Sequence, residues 1–311
     1  MMSVELAMLD VGQGDCFVVL DQLAQEAVLI DCPANCSHVA ASFLAARGFD
    51  RVRLAVVSHL HDDHYGGMET LLNGVDADRL WISVVADLTR ANPKAKAFLA
   101  QVRKRCDPAS IPRSLPHVGR KLTLTDIDLE VLGPDDQDIL DSLATGNPNH
   151  SSAIIRVSFG THRALVGGDA PPPRWERLAN AGVDLRADVL AIPHHGGAFA
   201  AKPSRLESLL DLVQPSILLV SVGAFNRYRH PHMATLETAG KWARANGAQL
   251  VCTQLTARCV GSGSRDGATC AGTVSVFDDR GVLNLITERP EHATFVRTTP
   301  GCPGCVGDPV A

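Results

Sequence analysis

A chain of 311 residues, 45% apolar and 20% charged, carries enough apolar material for one large core, which excludes a disordered or low-complexity protein. Its formal charge of −5 argues against a general nucleic-acid coat protein. No apolar run approaches the roughly 20 residues that span a bilayer, and Met1–Val11 lacks the basic-then-apolar pattern of a signal peptide, so no membrane segment and a cytoplasmic location are expected.

In chain order, Val4–Val11, Cys16–Leu20 and Ala27–Asp31 are short β-rich runs broken by Gly, Gln and Asp, which predicts a meander. His38–Arg47 has helical spacing and stops at Gly48. The apolar run Leu54–Ser58 predicts a strand buried on both faces. Between Trp81 and Asp141 the pattern weakens. It predicts a strand at Leu80–Val85, a helix over Lys94–Arg105, and a strand at Leu129–Leu132 before the Gly133-Pro134 break. Ala153–Phe159 and His162–Val166 predict a hairpin around Gly160. Further strands are expected at Val189–Ile192, Ile217–Val222 and Leu250–Cys252, and helices at Arg174–Ala181, Ser204–Leu212 and Met233–Asn246. Strands first, then strands and helices in two similar halves, imply two packed sheets with helices outside. One domain is expected over residues 1–290, followed by a poorly ordered Pro/Gly/Cys-containing tail over 291–311.

The strongest chemical signal is His59-Leu60-His61-Asp62-Asp63-His64, three histidines and two aspartates directly behind an apolar strand. Imidazole suits zinc and other first-row metals, and a carboxylate lets such a site hold a second or harder ion. His59 and His61 are spaced to point the same way at a strand end, and Asp63 and His64 fall on the turn into a helix. A solvated polar loop is a poor account of so many ligands behind a buried strand. Partners for a second ion follow downstream. Gly168-Asp169 ends a strand with a carboxylate able to bridge two ions. His194-His195 ends another, Asn149 and His150 precede a third, and Asn226–His232 adds two histidines beside two arginines.

In these motifs and their order the chain resembles the metallo-β-lactamase superfamily, and within it the hydrolase domain of ComEC-type DNA-uptake competence proteins and their stand-alone relatives. The matching segments are Leu9–Cys16, His59–Gly67, Gly168-Asp169, Pro193–Gly196 and Asn226–Pro231, over about residues 4–245. The resemblance implies a four-layer αββα sandwich holding two divalent ions, Zn2+ or Mn2+. It implies that His59 and His61 bind the first ion and Asp63 and His64 the second, with Asp169 bridging and His195 completing the second site. Relatives often close the first site with Asn-x-x-Ser, which fits Asn149 and Ser152, whereas His150 is chemically the better ligand; both stay candidates. His230 resembles the family's late histidine near the substrate, and Asp15 a group that orients a ligand. Full competence proteins span a membrane, so only their hydrolase part is expected to carry over.

Two such ions lower the pKa of a bridging water toward about 7 and clamp the attacking and leaving oxygens. Asp63 is then expected to orient the hydroxide, and His194 or His230 to protonate the leaving oxygen. Arg227 and Arg229 either hold phosphate oxygens as forks or are plain surface. Nine basic residues against one acid between Arg90 and Lys121 leave room for an anionic substrate, and nucleic acid is the expected phosphodiester. The alternatives are a small-molecule hydrolase for a lactone, thioester, phosphonate or phosphocholine ester, and a non-catalytic metal-binding module. Nine scattered cysteines read as reduced thiols or metal ligands; for Cys252, Cys259, Cys270, Cys302 and Cys305 unpaired thiols are expected, with a structural zinc or a disulfide as the rival.

Overall fold

The computed structural model describes residues 4–34, 36–83, 93–106, 113–256, 270–292 and 294. Arg90, Cys259, Cys302 and Cys305, the side chains of Arg103, Lys104 and Arg105, and the tail from 295 onward lie outside the described residues.

The strands are β1 (Val4–Met8), β2 (Phe17–Asp21), β3 (Glu26–Ile30), β4 (Arg51–Val52), β5 (Leu54–Val57), β6 (Asp76–Ala77), β7 (Leu80–Ile82), β8 (Arg113–Ser114), β9 (Lys121–Thr123), β10 (Ile127–Gly133), β11 (Ile154–Phe159), β12 (His162–Val166), β13 (Val189–Ala191), β14 (Ile217–Val220), β15 (Gln249–Cys252), β16 (Val274–Asp279) and β17 (Val282–Thr287). The α-helices are α1 (Ser37–Ala46), α2 (Asp62–Tyr65), α3 (Met68–Leu71), α4 (Pro93–Cys106), α5 (Asp136–Thr145), α6 (Pro172–Asn180), α7 (Pro203–Val213) and α8 (Met233–Asn246).

Among the described residues the first sheet runs β17-β16-β1-β2-β3-β5-β7-β8 and the second β15-β14-β13-β12-β11-β10-β9, with β4 and β6 paired apart. Each large sheet is antiparallel through one half and parallel through the other, from β3 onward in the first and from β12 onward in the second. Two similar halves were expected, and this is their form.

Side-chain alternation along the strands sets the layers. Leu54 and Val56 of β5 share a core with Leu6 of β1, Ile155 of β11 and Leu219 of β14, so the two sheets face each other. Ala55 and Val57 turn the other way, onto Leu44 of α1, Met68 of α3 and Leu99 of α4. On the far side of the second sheet, Leu190 and Leu218 pack on Trp175 of α6, Leu206 of α7 and Trp242 of α8. The order helix, sheet, sheet, helix is the αββα sandwich. Its candidate site lies where β1, β3, β5, β12, β13 and β14 end, the edge at which loops can project ligands from a rigid frame.

Some expected elements differ. β1 stops at Met8 rather than Val11, and β14 at Val220 rather than Val222, because the chain leaves the ladder there to enter the site. Helix α5 was not expected: its sequence is acidic, but Asp135 accepts from the Asp138 backbone N–H, Asp138 answers in a capping box, and Gly146 closes the far end in a left-handed turn. The closing hairpin β16–β17 also escaped the reading. Its outer strand alternates between exposed and half-buried residues, and it joins the sheet through β1 (Val4 opposite Asp278), at the other end of the chain. Just past it, His292 is buried with Nδ1 3.8 Å from Cys270 Sγ, so that part of the expected tail packs on the body.

Candidate metal centre

The cluster gathers around Asp169, which leaves β12 at 2% exposure. His64 Nε2 lies 3.1 Å from Asp169 Oδ1, His195 Nε2 3.6 Å from the same oxygen, and His59 Nε2 3.6 Å and His194 Nε2 3.3 Å from Oδ2. His61 Nδ1 stands 4.0 Å from Oδ2 and 3.1 Å from His59 Nε2. Asp63 enters from the other side, its Oδ2 3.7 Å from His195 Nε2. Two groupings with all ligand atoms within 4.8 Å of one another result, His59/His64/Asp169 and Asp63/His64/His195, with a third, Asp15/Asp31/His64, behind them. His64 belongs to all three.

Local backbone makes the convergence possible. After β5 the chain turns at Ser58, and α2 begins directly after His61, so Asp63 and His64 ride on its single turn. Gly168 has φ +46°, and a Cβ there would stand 2.6 Å from Ser152 Oγ, so only glycine lets Asp169 follow this path. His194 and His195 both adopt left-handed backbone, φ 57° and 53°, which costs roughly 1–2 kcal/mol per non-glycine residue and swings the two imidazoles apart.

Behind the ligands, each ring is held by a partner. Asp31 Oδ2 lies 2.8 Å from His64 Nδ1 and accepts from Ser58 Oγ at 2.6 Å, while Oδ1 accepts from the Ser58 backbone N–H at 2.7 Å. This fixes His64 with Nε2 toward Asp169. His195 Nδ1 lies 3.0 Å from the Ser221 carbonyl and 3.3 Å from Asp15 Oδ1, which likewise turns Nε2 inward. Ser152 Oγ sits 3.4 Å from His59 Nδ1 and accepts from the Asp169 backbone N–H at 3.0 Å. Asp31 and Ser221 were not singled out from the sequence, and Ser58 stood only as the residue before the histidine motif. The only trace was Asp31 itself, a carboxylate closing an apolar strand.

The electrostatics match a cation site. Burial opposes charge on His64, yet Asp169 and Asp31 outweigh it and raise its pKa well above the ordinary value. His195, also opposed by burial, is raised to about 9 by Asp15 and Asp169. Burial would raise Asp169, but His64, His59 and His61 hold it well below the usual carboxylate range. Burial and the His64 charge push His59 down to about 3.

The fit to metal can be tested on the buried atoms. His64 Nε2, His195 Nε2 and Asp169 Oδ1 are buried without a hydrogen-bond partner; the 3.1 Å approach of the first to the third is out of line for one. Unpaired buried polar atoms are costly, and three of them, Asp169 Oδ1 and the two nitrogens within 3.6 Å of it, are what a cation would satisfy. Asn149 Oδ1 is buried and unpaired as well. His150 is half-buried and belongs to none of the three groupings.

The centre forms the floor of a cleft of about 630 Å³. Its walls include His61, Asp63, His194 and His195, and its rim the loop Phe225–His230. His230 Nδ1 is unpaired and buried, and burial together with His194 and His195 lowers its pKa to about 4. His194 is lowered too, chiefly by burial. Arg227 lines the cleft, its Nη2 2.5 Å from Tyr228 Oη, whereas Arg229 is exposed and does not line it. The basic stretch is divided between elements: Lys94 of α4 reaches Asp62 at the cleft (3.1 Å), and Lys121 of β9 pairs with Glu130 in the second sheet (3.0 Å).

An αββα sandwich with histidines and aspartates converging at one strand-end edge defines a class, and the chain belongs to the metallo-beta-lactamase superfamily, whose profile matches residues 9–223. Among curated proteins it is similar to ComE operon protein 3 of Bacillus subtilis, 27% identical over 250 residues, covering 75% of this chain and 30% of that protein. It is also similar to Recombination protein 2 of Haemophilus influenzae, 25% identical over 190 residues, covering 61% of this chain and 20% of that one. The chain thus spans less than a third of either relative. Among solved structures, CmlA, a diiron beta-hydroxylase from Streptomyces venezuelae, superposes with a TM-score of 0.51 at 13% identity, over 82% of this chain and 53% of that one, which shows the shared fold. No helix among the described residues is long and apolar enough to cross a membrane.

Proposed function

We propose that this chain is a two-metal phosphodiesterase acting on nucleic acid. The observation that carries it is the pair of ligand groupings that share His64 beside Asp169 on the floor of an open cleft. His59, His61 and Asp169, closed by Asn149, would hold one ion; Asp63, His64, His195 and Asp169 would hold the other. Asn149 is preferred to His150 because its Oδ1 is buried and unpaired. Zinc or manganese there would supply an acidified water and neutralise the phosphate oxygens.

The protein's own groups do the rest. Asp63, deprotonated and at the cleft wall, accepts the proton of the attacking water and fixes its direction, and the leaving oxygen takes its proton from solvent in the open cleft. His194 and His230 have lowered pKa values, so near neutral pH they meet the phosphate as neutral N–H donors rather than as imidazolium acids. Arg227 on the rim offers its guanidinium to a phosphate oxygen. Nucleic acid is favoured by the similarity to a recombination protein and by Arg227 in the cleft lining, with Lys94 beside it on Asp62. A second reading, hydrolysis of a small ester, is favoured by the cleft volume, which suits a small molecule.

The test is turnover of metal-loaded protein on oligonucleotides and on small esters. We expect oligonucleotide cleavage that falls roughly 10²–10⁴-fold in Asp63→Asn, the usual contribution of a positioned base. In His59→Ala/His61→Ala, bound metal should drop to about half with the fold retained. Good turnover of a lactone or phosphocholine ester with nucleic acid untouched would replace the first reading by the second.

A further inference from the structure

Resting on the phosphodiesterase reading, we infer that the rim segment Phe225-Asn226-Arg227-Tyr228 is a base-stacking clamp that selects single-stranded nucleic acid. Phe225 and Tyr228 are 72% and 46% exposed, and among the described residues they are the large aromatics left this open to solvent. Both line the metal cleft. The other exposed large apolar residues are aliphatic: Leu23, Val118, Leu140, Leu212, Val282 and Ile286, none of them at the cleft. Single exposed side chains are ordinary, but two open rings gathered at one doorway are the kind of patch that marks a binding surface.

The segment is built to hold its rings still. Asn226 Nδ2 donates to the Gly223 and His230 carbonyls, and Asn226 Oδ1 accepts from the His230 N–H, each at 2.7 Å. Ala224 N–H donates to Gln254 Oε1 at 2.8 Å. Tyr228 stacks on His230 (centroids 5.7 Å apart, planes 30° apart), and the Arg227 guanidinium lies 4.8 Å from the Tyr228 ring centre. Planar faces and a phosphate-binding fork thus stand together over a cleft with hydrolytic residues on its floor.

A small ester on the floor of the cleft leaves the outward faces of such rings uncovered. A polymer does not: while one phosphodiester reaches the floor, the neighbouring nucleotide lies on the rim, where its base can cover Phe225 or Tyr228 and its phosphate can meet Arg227. Only an unpaired base has a free face to give, because a duplex keeps its faces stacked inside. The clamp therefore discriminates by strandedness and tolerates any base.

The test separates recognition from chemistry. Fluorescence anisotropy in excess chelator, where strands stay intact, compares a labelled oligothymidylate, an abasic strand of equal length and a duplex. The wild-type protein should bind the oligothymidylate roughly tenfold or more tightly than the abasic strand and the duplex, the usual worth of one or two stacked bases. Phe225→Ala and Tyr228→Ala should each lose most of that preference, and Tyr228→Phe, which keeps the ring, should retain it. Equal binding of normal and abasic strands by the wild type, or an unchanged preference in both alanine variants, overturns the clamp. A preference that is present and ring-dependent in a protein that cleaves no phosphodiester upholds the clamp and removes the phosphodiesterase reading instead.

Discussion

His195 shows how one residue links protons, metal and stability. Its folded pKa of about 9 lies above its ordinary value of 6.5. A raised value means that the metal-free fold gains from the imidazolium fully below about pH 6.5 and loses that gain as pH rises through about 9. Metal needs the neutral ring and so competes with this proton. His59 is already neutral and imposes no such cost. Titration calorimetry between pH 6 and 9 should therefore show a first equivalent bound with little pH dependence. The second should tighten as pH rises and release protons measurable by changing buffer. A second equivalent whose affinity does not move with pH would contradict the His195 assignment. The neighbouring His194 offers a different measurement. Replacing it by glycine relieves a left-handed residue, so His194→Gly should unfold at equal or higher denaturant, by up to about 1 kcal/mol, while turnover falls. A loss of stability would show that the side chain's contacts outweigh its backbone strain.

At the scale of elements, the loop after β14 carries Arg227, Tyr228 and His230 on hydrogen bonds of one side chain, Asn226. Asn226→Ala should raise the Michaelis constant for an oligonucleotide roughly tenfold and lower stability by about 1–3 kcal/mol, with metal content unchanged. Metal loss in that variant would mean that the loop also braces the centre. Elements differed in how well the sequence exposed them, for physical reasons. β5, β13 and β14 are buried on both faces and show as continuous apolar runs, and the histidines beyond them, which the structure gathers around Asp169, stood out because rare residue types fall close together there. Helix α5 was hidden because its start is written in a two-aspartate cap rather than in apolar spacing. Asp31 was hidden because its role comes from lying against His64, 33 positions away. Phe225 and Tyr228 were hidden because nothing in spacing distinguishes an aromatic left in solvent from one in the core.

Across the whole molecule, the candidate ligands come from both sheets: His59 and His64 from behind β5, Asp169 and His195 from behind β12 and β13. Bound metal would tie the two halves of the sandwich together at this edge. A ligand at a hundred times its dissociation constant adds about 2.7 kcal/mol to a fold. In a chain this long, 1 kcal/mol moves the melting temperature by about 1.5 °C. Calorimetry with and without chelator should therefore show a drop of roughly 4 °C for each ion removed, with a smaller drop in His59→Ala/His61→Ala. Identical melting curves would mean that the halves hold together without help from the centre.

The loop over Phe225–His230 contributes no residue to the three ligand groupings, although it walls the cleft above them. Framework and doorway are thus separately heritable. A lineage can exchange Phe225, Arg227 and Tyr228, and with them what is admitted, while His230 and the strand-end carboxylates and imidazoles stay untouched. The reverse is not open to it, because a change at His64 disturbs every grouping at once. Divergence within such a fold is therefore expected to run fastest at the doorway and slowest at the floor.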